Sequence, residues 1–152
     1  IVATLDHNQL AELYTVRTEL EALAARLAAR HATPEEMRVL AGMVDEDRAS
    51  LGDPRTLARA NRRFHHQIHL ASHNRYLVQQ LNLVHRSMAL MGGTTLAAKG
   101  RDSVSLDEHQ AIVEAIAARD EAGAEAALRR HISMAYETRL KEDARLNDEG
   151  GA

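Results

Sequence analysis

The chain has 152 residues, 45% hydrophobic and 3% aromatic, with a formal net charge of −3 and no cysteine. That balance supports one core built largely of Ala and Leu, the strongest helix formers. It excludes a disulfide framework, a thiolate metal site and the basic stripe that a duplex-DNA surface demands.

Six helices are predicted in chain order. Leu10, Leu13, Tyr14, Arg17, Leu20, Ala24 and Leu27 recur at helical spacing and place the first from about Asn8 to His31, with Asp6 or Asn8 as its cap. Thr33-Pro34-Glu35-Glu36 opens the second as a capping box with Pro in the first helical position, and this helix ends before Gly52. Asp53-Pro54 starts the third in the same way, through Leu57, Phe64, Ile68 and Ala71. After a break at His73-Asn74, the fourth carries Tyr76, Leu77, Leu81, Val84, Met88 and Met91, and Gly92-Gly93 stops it.

The stretch from Thr94 to Ser103 is expected to be the longest loop. Ser105 with Glu108 suggests a capping box for a fifth helix, Leu106 to about Arg119, and Asp120 caps a sixth that continues to about Lys141. The polar, Gly-rich segment 147–152 is expected to be disordered, leaving one domain over 1–146. No strand alternation or internal repeat is visible, so the fold class is all-α, an antiparallel helical bundle. No apolar run is long enough to span a bilayer and the opening residues do not read as a signal peptide, so a cytoplasmic location is expected.

Three of the nine histidines fall on apolar stripes of different helices. His109 accompanies Leu106, Ile112, Val113 and Ile116; His131 accompanies Ala124, Ala127, Leu128 and Ala135; His65 lies between Phe64 and Ile68, one turn after Asn61. Burying a polar ring without a partner costs about 1–3 kcal/mol. A divalent metal satisfies three such rings together, because neutral imidazole is a favoured ligand for Zn, Ni, Mn or Fe. The plainer alternative is three core histidines, each bonded to a carbonyl or carboxylate. His66, His69, His73 and His85 are expected at the solvent or an interface. His65-His66-Gln67-Ile68-His69 lacks the Glu of a zinc-protease helix.

Arg17 lies close to the inward stripe of the first helix, where its guanidinium either forks onto a carboxylate ligand or pairs with Glu21 one turn on. Asn82 and Arg86, one turn apart, are assigned to the same cavity. Glu108 is read as a cap on another helical face than His109, so no general base adjoins the histidines and no enzyme is expected. The rival readings are a metal-dependent hydrolase or oxygenase and a ligand-free structural dimerisation module. A di-iron bundle is disfavoured, because no Glu-x-x-His pair recurs on two helices.

Five segments, in order, carry a family resemblance: Leu13-Tyr14-Thr15-Val16-Arg17-Thr18-Glu19-Leu20-Glu21, Asn61-Arg62-Arg63-Phe64-His65, Ala71-Ser72-His73-Asn74, Glu108-His109-Gln110-Ala111-Ile112 and Arg130-His131-Ile132. The chain resembles the FCD domain, the C-terminal effector domain of the FadR subfamily of GntR-type regulators. The resemblance implies a bundle of six or seven helices and a divalent cation held by Asn61, His65, His109 and His131. It also implies a small carboxylate effector facing Arg17, a homodimer, and a preceding winged-helix domain that contacts DNA and is not seen before Ile1. Asn61 stands where the family more often has Asp. Its amide brings no negative charge, which weakens cation binding and leaves more positive charge for an anionic effector to neutralise. Effector binding is expected to shift the paired helices and so the spacing of two attached DNA-binding heads, as far as its affinity differs between the two arrangements.

Overall fold

Most helix starts are written in a few neighbouring residues. Glu36 N–H donates to Thr33 Oγ1 at 3.1 Å and Thr33 N–H donates to Glu36 Oε1 at 2.9 Å, closing the capping box around Pro34. Asp53 accepts from Thr56 N–H at 3.2 Å, Asn74 from Leu77 N–H at 3.0 Å and Asp120 from Gly123 N–H at 2.9 Å. In a computed structural model, which describes residues 7–91 and 95–150, these caps open helices in an all-α bundle. The elements are α1 (His7–His31), α2 (Pro34–Arg48), α3 (Pro54–Ala71), α4 (Arg75–Ala89), a 3₁₀ turn (Thr95–Ala97), α5 (Arg101–Ala117) and α6 (Glu121–Gly150). No strand occurs among the described residues.

Two helix ends differ from expectation. Helix α5 begins at Arg101, and Ser105 is a buried residue within it. The chain enters α5 through Gly100, whose φ of +76° lies in the left-handed region that glycine adopts without strain. Helix α6 passes Lys141 and runs to Gly150, so 147–150 are helical and not a frayed tail. Ion pairs one turn apart, Lys141 with Glu137, Arg139 with Asp143 and Arg145 with both Glu142 and Glu149, brace this extension. Each contributes a few tenths of a kcal/mol. Asp6 and Gly92-Gly93, named as cap and stop, lie outside the described residues.

Helix α1 packs against α6, α3, α4 and α5, which makes it the central element. Its Ala24, Ala25, Ala28 and Ala29 are buried, and small side chains let the neighbouring helices approach closely. Leu40, Val44, Phe64, Ile68, Leu81, Ile112, Ile116 and Leu128 fill the space around them. Full burial of each large side chain contributes about 1.5–3 kcal/mol. A smaller cluster of Leu10, Tyr14 and Ile132, with Tyr136 and Leu140 against it, closes the other end. Along α1, buried Arg17 and Glu21 separate Tyr14 of the small cluster from Ala24 of the large one. The core is therefore interrupted by charge at one level, and the histidines converge there.

Candidate metal centre

Helix α3 presents Asn61, His65 and His69 at successive four-residue steps, hence on one face. Helix α5 brings His109 and α6 brings His131 to the same point. His65 Nε2 lies 3.1 Å from His131 Nε2, which lies 3.3 Å from His109 Nε2. The other ring nitrogens are committed elsewhere: His65 Nδ1–H donates to Glu21 Oε2 at 2.9 Å, and His131 Nδ1–H to Glu108 Oε1 at 2.7 Å. These carboxylates assign the tautomers and leave a lone pair on each Nε2. Lone pairs that face each other at 3.1 Å repel unless a cation lies among them.

The donor set fits a divalent cation. Nitrogens spaced 3.1 and 3.3 Å apart suit metal–nitrogen bonds of about 2.0–2.1 Å. Histidine ligands held from behind by carboxylates are the usual support for such a centre. Asn61 Oδ1 and His109 Nδ1 are buried without a hydrogen-bond partner, and the amide oxygen is a further available donor. Phe64 stacks on the His109 ring at 4.1 Å between centroids and 18° between planes, fixing its orientation.

Burial dominates the electrostatics. It holds His65 down to about 3, His109 well below its ordinary value and His131 below it as well, so all three are in the neutral, ligating form near pH 7. Burial opposes ionisation of Glu21, but the facing His65 and His69, with their bonds to the carboxylate, outweigh it and keep the acid ionised. Burial likewise opposes ionisation of Glu108, and its bonds to His131 and Arg101 outweigh it.

A cavity of about 380 Å³ opens beside the histidines, lined by Tyr14, Arg17, Asn61, His85, Arg101 and His131 among others. Arg17 is 8% exposed, its Nε has no partner, and its guanidinium carbon lies 5.6 Å from the Tyr14 ring centroid. No carboxylate pairs with it among the described residues. The cavity therefore has a cationic wall with free hydrogen-bond donors.

Asn61, His65, His109 and His131 are brought together, and Arg17 reaches the cavity. Asn82 and Arg86 do not: both are exposed on α4, which contributes His85, Met88 and Ala89 to the lining instead. Leu77, Leu81 and Val84 are the buried face of α4; His85 and Met88 follow it, and Asn82 and Arg86 turn away. Glu21 bonds three imidazoles and leaves Arg17 unpaired, against the one-turn salt bridge considered as an alternative. His69 is 2% exposed, not at the solvent, and His85 is half-buried. His66 is exposed, and His73 bonds Glu36 at 2.7 Å. Glu108, expected to be a cap, instead supports His131. Glu21, Glu108 and Arg101 were not anticipated at the site; the one signal for Glu21 was its place between Arg17 and Ala24 on the inward stripe.

The model of the FCD domain family matches residues 12–134. A probable D-xylose utilization operon transcriptional repressor of Paenarthrobacter nicotinovorans is 33% identical over 138 residues, which cover 87% of this chain and 58% of that protein. The solved structure of E. coli McbR/YncC matches with a TM-score of 0.73 at 21% identity, over 85% of this chain and 63% of that one, a likeness of fold. The chain thus spans less than two thirds of either protein. No helix among the described residues is long and apolar enough to cross a membrane. The matched family and the curated relative point to transcription regulation. The family match takes in most of the length that builds the bundle, and the chain belongs to the FCD domain family of GntR-type transcription regulators.

Proposed function

We propose that this domain senses a small carboxylate in a cavity floored by a divalent cation, Zn, Ni, Mn or Fe, held by His65, His109, His131 and Asn61. The observation that carries the reading is the opposition of the His65 and His131 Nε2 lone pairs at 3.1 Å, with both Nδ1 atoms already bonded to carboxylates. Three imidazoles and an amide oxygen bring no negative charge to the centre. When bound, the cation supplies a positive charge that attracts an oxygen anion in the cavity.

The chain's own residues do the rest. Glu21 and Glu108 hold the imidazoles in the ligating tautomer. Arg17 offers a buried, unpaired guanidinium that forks onto a carboxylate. Tyr14 closes the cavity beside it. Helices α1, α3, α4, α5 and α6 all contribute to the lining, so an effector that prefers one packing of these helices shifts the homodimer, and with it the DNA-binding domains joined to it. The curated relative is a probable repressor of a D-xylose utilization operon, which makes sugars and sugar-derived acids the first effectors to test. A ligand-free dimerisation module has no use for an unpaired arginine buried against a cavity.

The test is the double substitution His109→Ala/His131→Ala. The purified variant is expected to lose its cation by elemental analysis and its response to carboxylates in a DNA-binding assay. Full cation occupancy in the variant overturns the reading. Recovery of the bound acids unchanged distinguishes a sensor from a metal-dependent enzyme.

A further inference from the structure

Glu21 is fully buried on α1 and offers two oxygens in two directions. Oε2 takes the His65 Nδ1–H bond already described. Oε1 lies 2.8 Å from His69 Nε2 and 2.7 Å from His85 Nε2. His69 sits one turn beyond His65 on α3, and His85 reaches in from α4. Their rings meet edge to face with centroids 5.2 Å apart. Three donor atoms from three helices thus converge on a second point.

Hydrogen bonding accounts for the distances, and the same three atoms, one carboxylate oxygen and two ring nitrogens, are also a converging set of metal donors. Among the described residues the contacts of Glu21 are with imidazoles, and no guanidinium or ammonium pairs with it. Buried carboxylates are paired or coordinate metals. Two imidazoles with one carboxylate form the donor set of many zinc sites and of non-haem Fe(II) sites with open positions. The spacing of 2.7–2.8 Å is slightly inside the roughly 3 Å between adjacent ligands on such an ion, so shifts of a few tenths of an ångström accommodate it. His85 also lines the cavity, and its side chain is 25% exposed, which gives an ion an entry path.

We propose that Glu21, His69 and His85 form a second divalent-cation site, separate from the three-histidine centre and joined to it through one carboxylate. Ligation uses the lone pair of each Nε2, so any proton held there moves to Nδ1 or to solvent. Glu21 then faces a cation through Oε1 while orienting His65 through Oε2. The two sites fill side by side, and the carboxylate links their affinities.

The experiment is a titration of metal-stripped protein with Co²⁺ alone, followed by calorimetry and visible absorption. The wild type is expected to take two ions per chain. His69→Gln/His85→Gln, which keeps polar groups near Glu21, is expected to take one, and so is His85→Gln alone, a milder change at a half-buried position. Glu21→Gln is expected to lose the second ion and weaken the first 10–100-fold. Two ions per chain in His85→Gln overturn the proposal, as does one ion in the wild type that His69→Gln/His85→Gln retains. The sensor centre fails separately: if His109→Ala/His131→Ala binds as many ions as the wild type, that centre is wrong, and loss of an ion in His69→Gln/His85→Gln still supports this one.

Discussion

Glu108 Oε1 stands 2.7 Å from His131 Nδ1 while both terminal nitrogens of Arg101 hold the same carboxylate, at 2.6 and 2.9 Å. The relationship ties the first residue of α5 to the middle of α6. It also fixes which nitrogen of His131 carries the proton, because an ionised carboxylate accepts and does not donate. The His131 ring on α6 is thus oriented by a charge pair on α5.

Glu108→Gln keeps the shape and the acceptor but removes the charge. Cation affinity is expected to fall 10–100-fold, the usual effect of losing a carboxylate behind a ligating histidine. Arg101, 6% exposed, then loses its ionic partner, and stability drops by roughly 2 kcal/mol. Chelator competition and a thermal melt measure the two effects. An unchanged affinity removes Glu108 from the centre.

The parts of this fold that could be foreseen rest on local chemistry. Thr33-Pro34 and Asp53-Pro54 carry their own caps, so α2 and α3 start where those residues say. Helix α5 is different. Ser105 and Glu108 have capping-box spacing, but the Glu108 carboxylate bonds a residue 23 positions away. The true entry at Gly100 has no side-chain cap to see. The histidine stripes of α3, α5 and α6 were visible because each ring sits among apolar residues at helical spacing. Glu21 was not recognised, because a carboxylate on an inward stripe announces no partner when those partners are 44, 48 and 64 residues on. Asn82 and Arg86 lie one turn apart on α4 but are exposed, away from the cavity. Spacing shows that two residues share a face, not that the face is turned inward.

The neutral histidines make the metal-free protein acid-sensitive in a defined window. An unfolded His65 takes up a proton near 6.5, whereas the folded one does so only at about 3. Between those values the unfolded chain binds more protons, so stability falls as pH falls. His109 and His131 act in the same direction. Glu21 and Glu108, depressed when folded, add to the loss below about 4.5. The stability of stripped protein is expected to be level above about pH 7 and to drop from about 6.5 downward, by up to about 1.4 kcal/mol per pH unit for each histidine kept neutral, and the melting temperature to fall with it. Bound cation is expected to leave toward about pH 5 as protons compete. Calorimetric melts across this range that stay flat to pH 5 contradict neutral burial of the three rings.

Arg17 separates ligand binding from stability. Its buried charge has no carboxylate partner, so Arg17→Met, which keeps the stem and removes the charge, is expected to raise the melting temperature of the ligand-free domain by a few degrees, about 1 kcal/mol. Affinity for small carboxylates is expected to fall about 10–100-fold with loss of charge-assisted hydrogen bonds. Cation binding changes little, because Arg17 holds none of the ligands. Calorimetry with a panel of hydroxy acids and sugar acids reads both effects. Carboxylates that bind the variant as tightly as the wild type remove Arg17 from the effector site.

Asn61 is the donor that decides the charge of the proposed centre. Its Oδ1 is buried and unpartnered, one turn from His65, and it lines the cavity. Asn61→Asp keeps the size and adds one negative charge. With a cation present, that charge strengthens cation binding by about 10-fold or more, since opposite charges a few ångströms apart interact by several kcal/mol at intermediate dielectric. An anionic effector then meets a less positive cavity and binds more weakly by a similar factor. Stripped of cation, the variant holds an unpaired carboxylate and melts below the wild type. The three effects share one cause and must appear together. A variant with unchanged cation affinity shows that Asn61 is no ligand, and one with tighter cation but unchanged carboxylate binding shows that the effector does not face the cation.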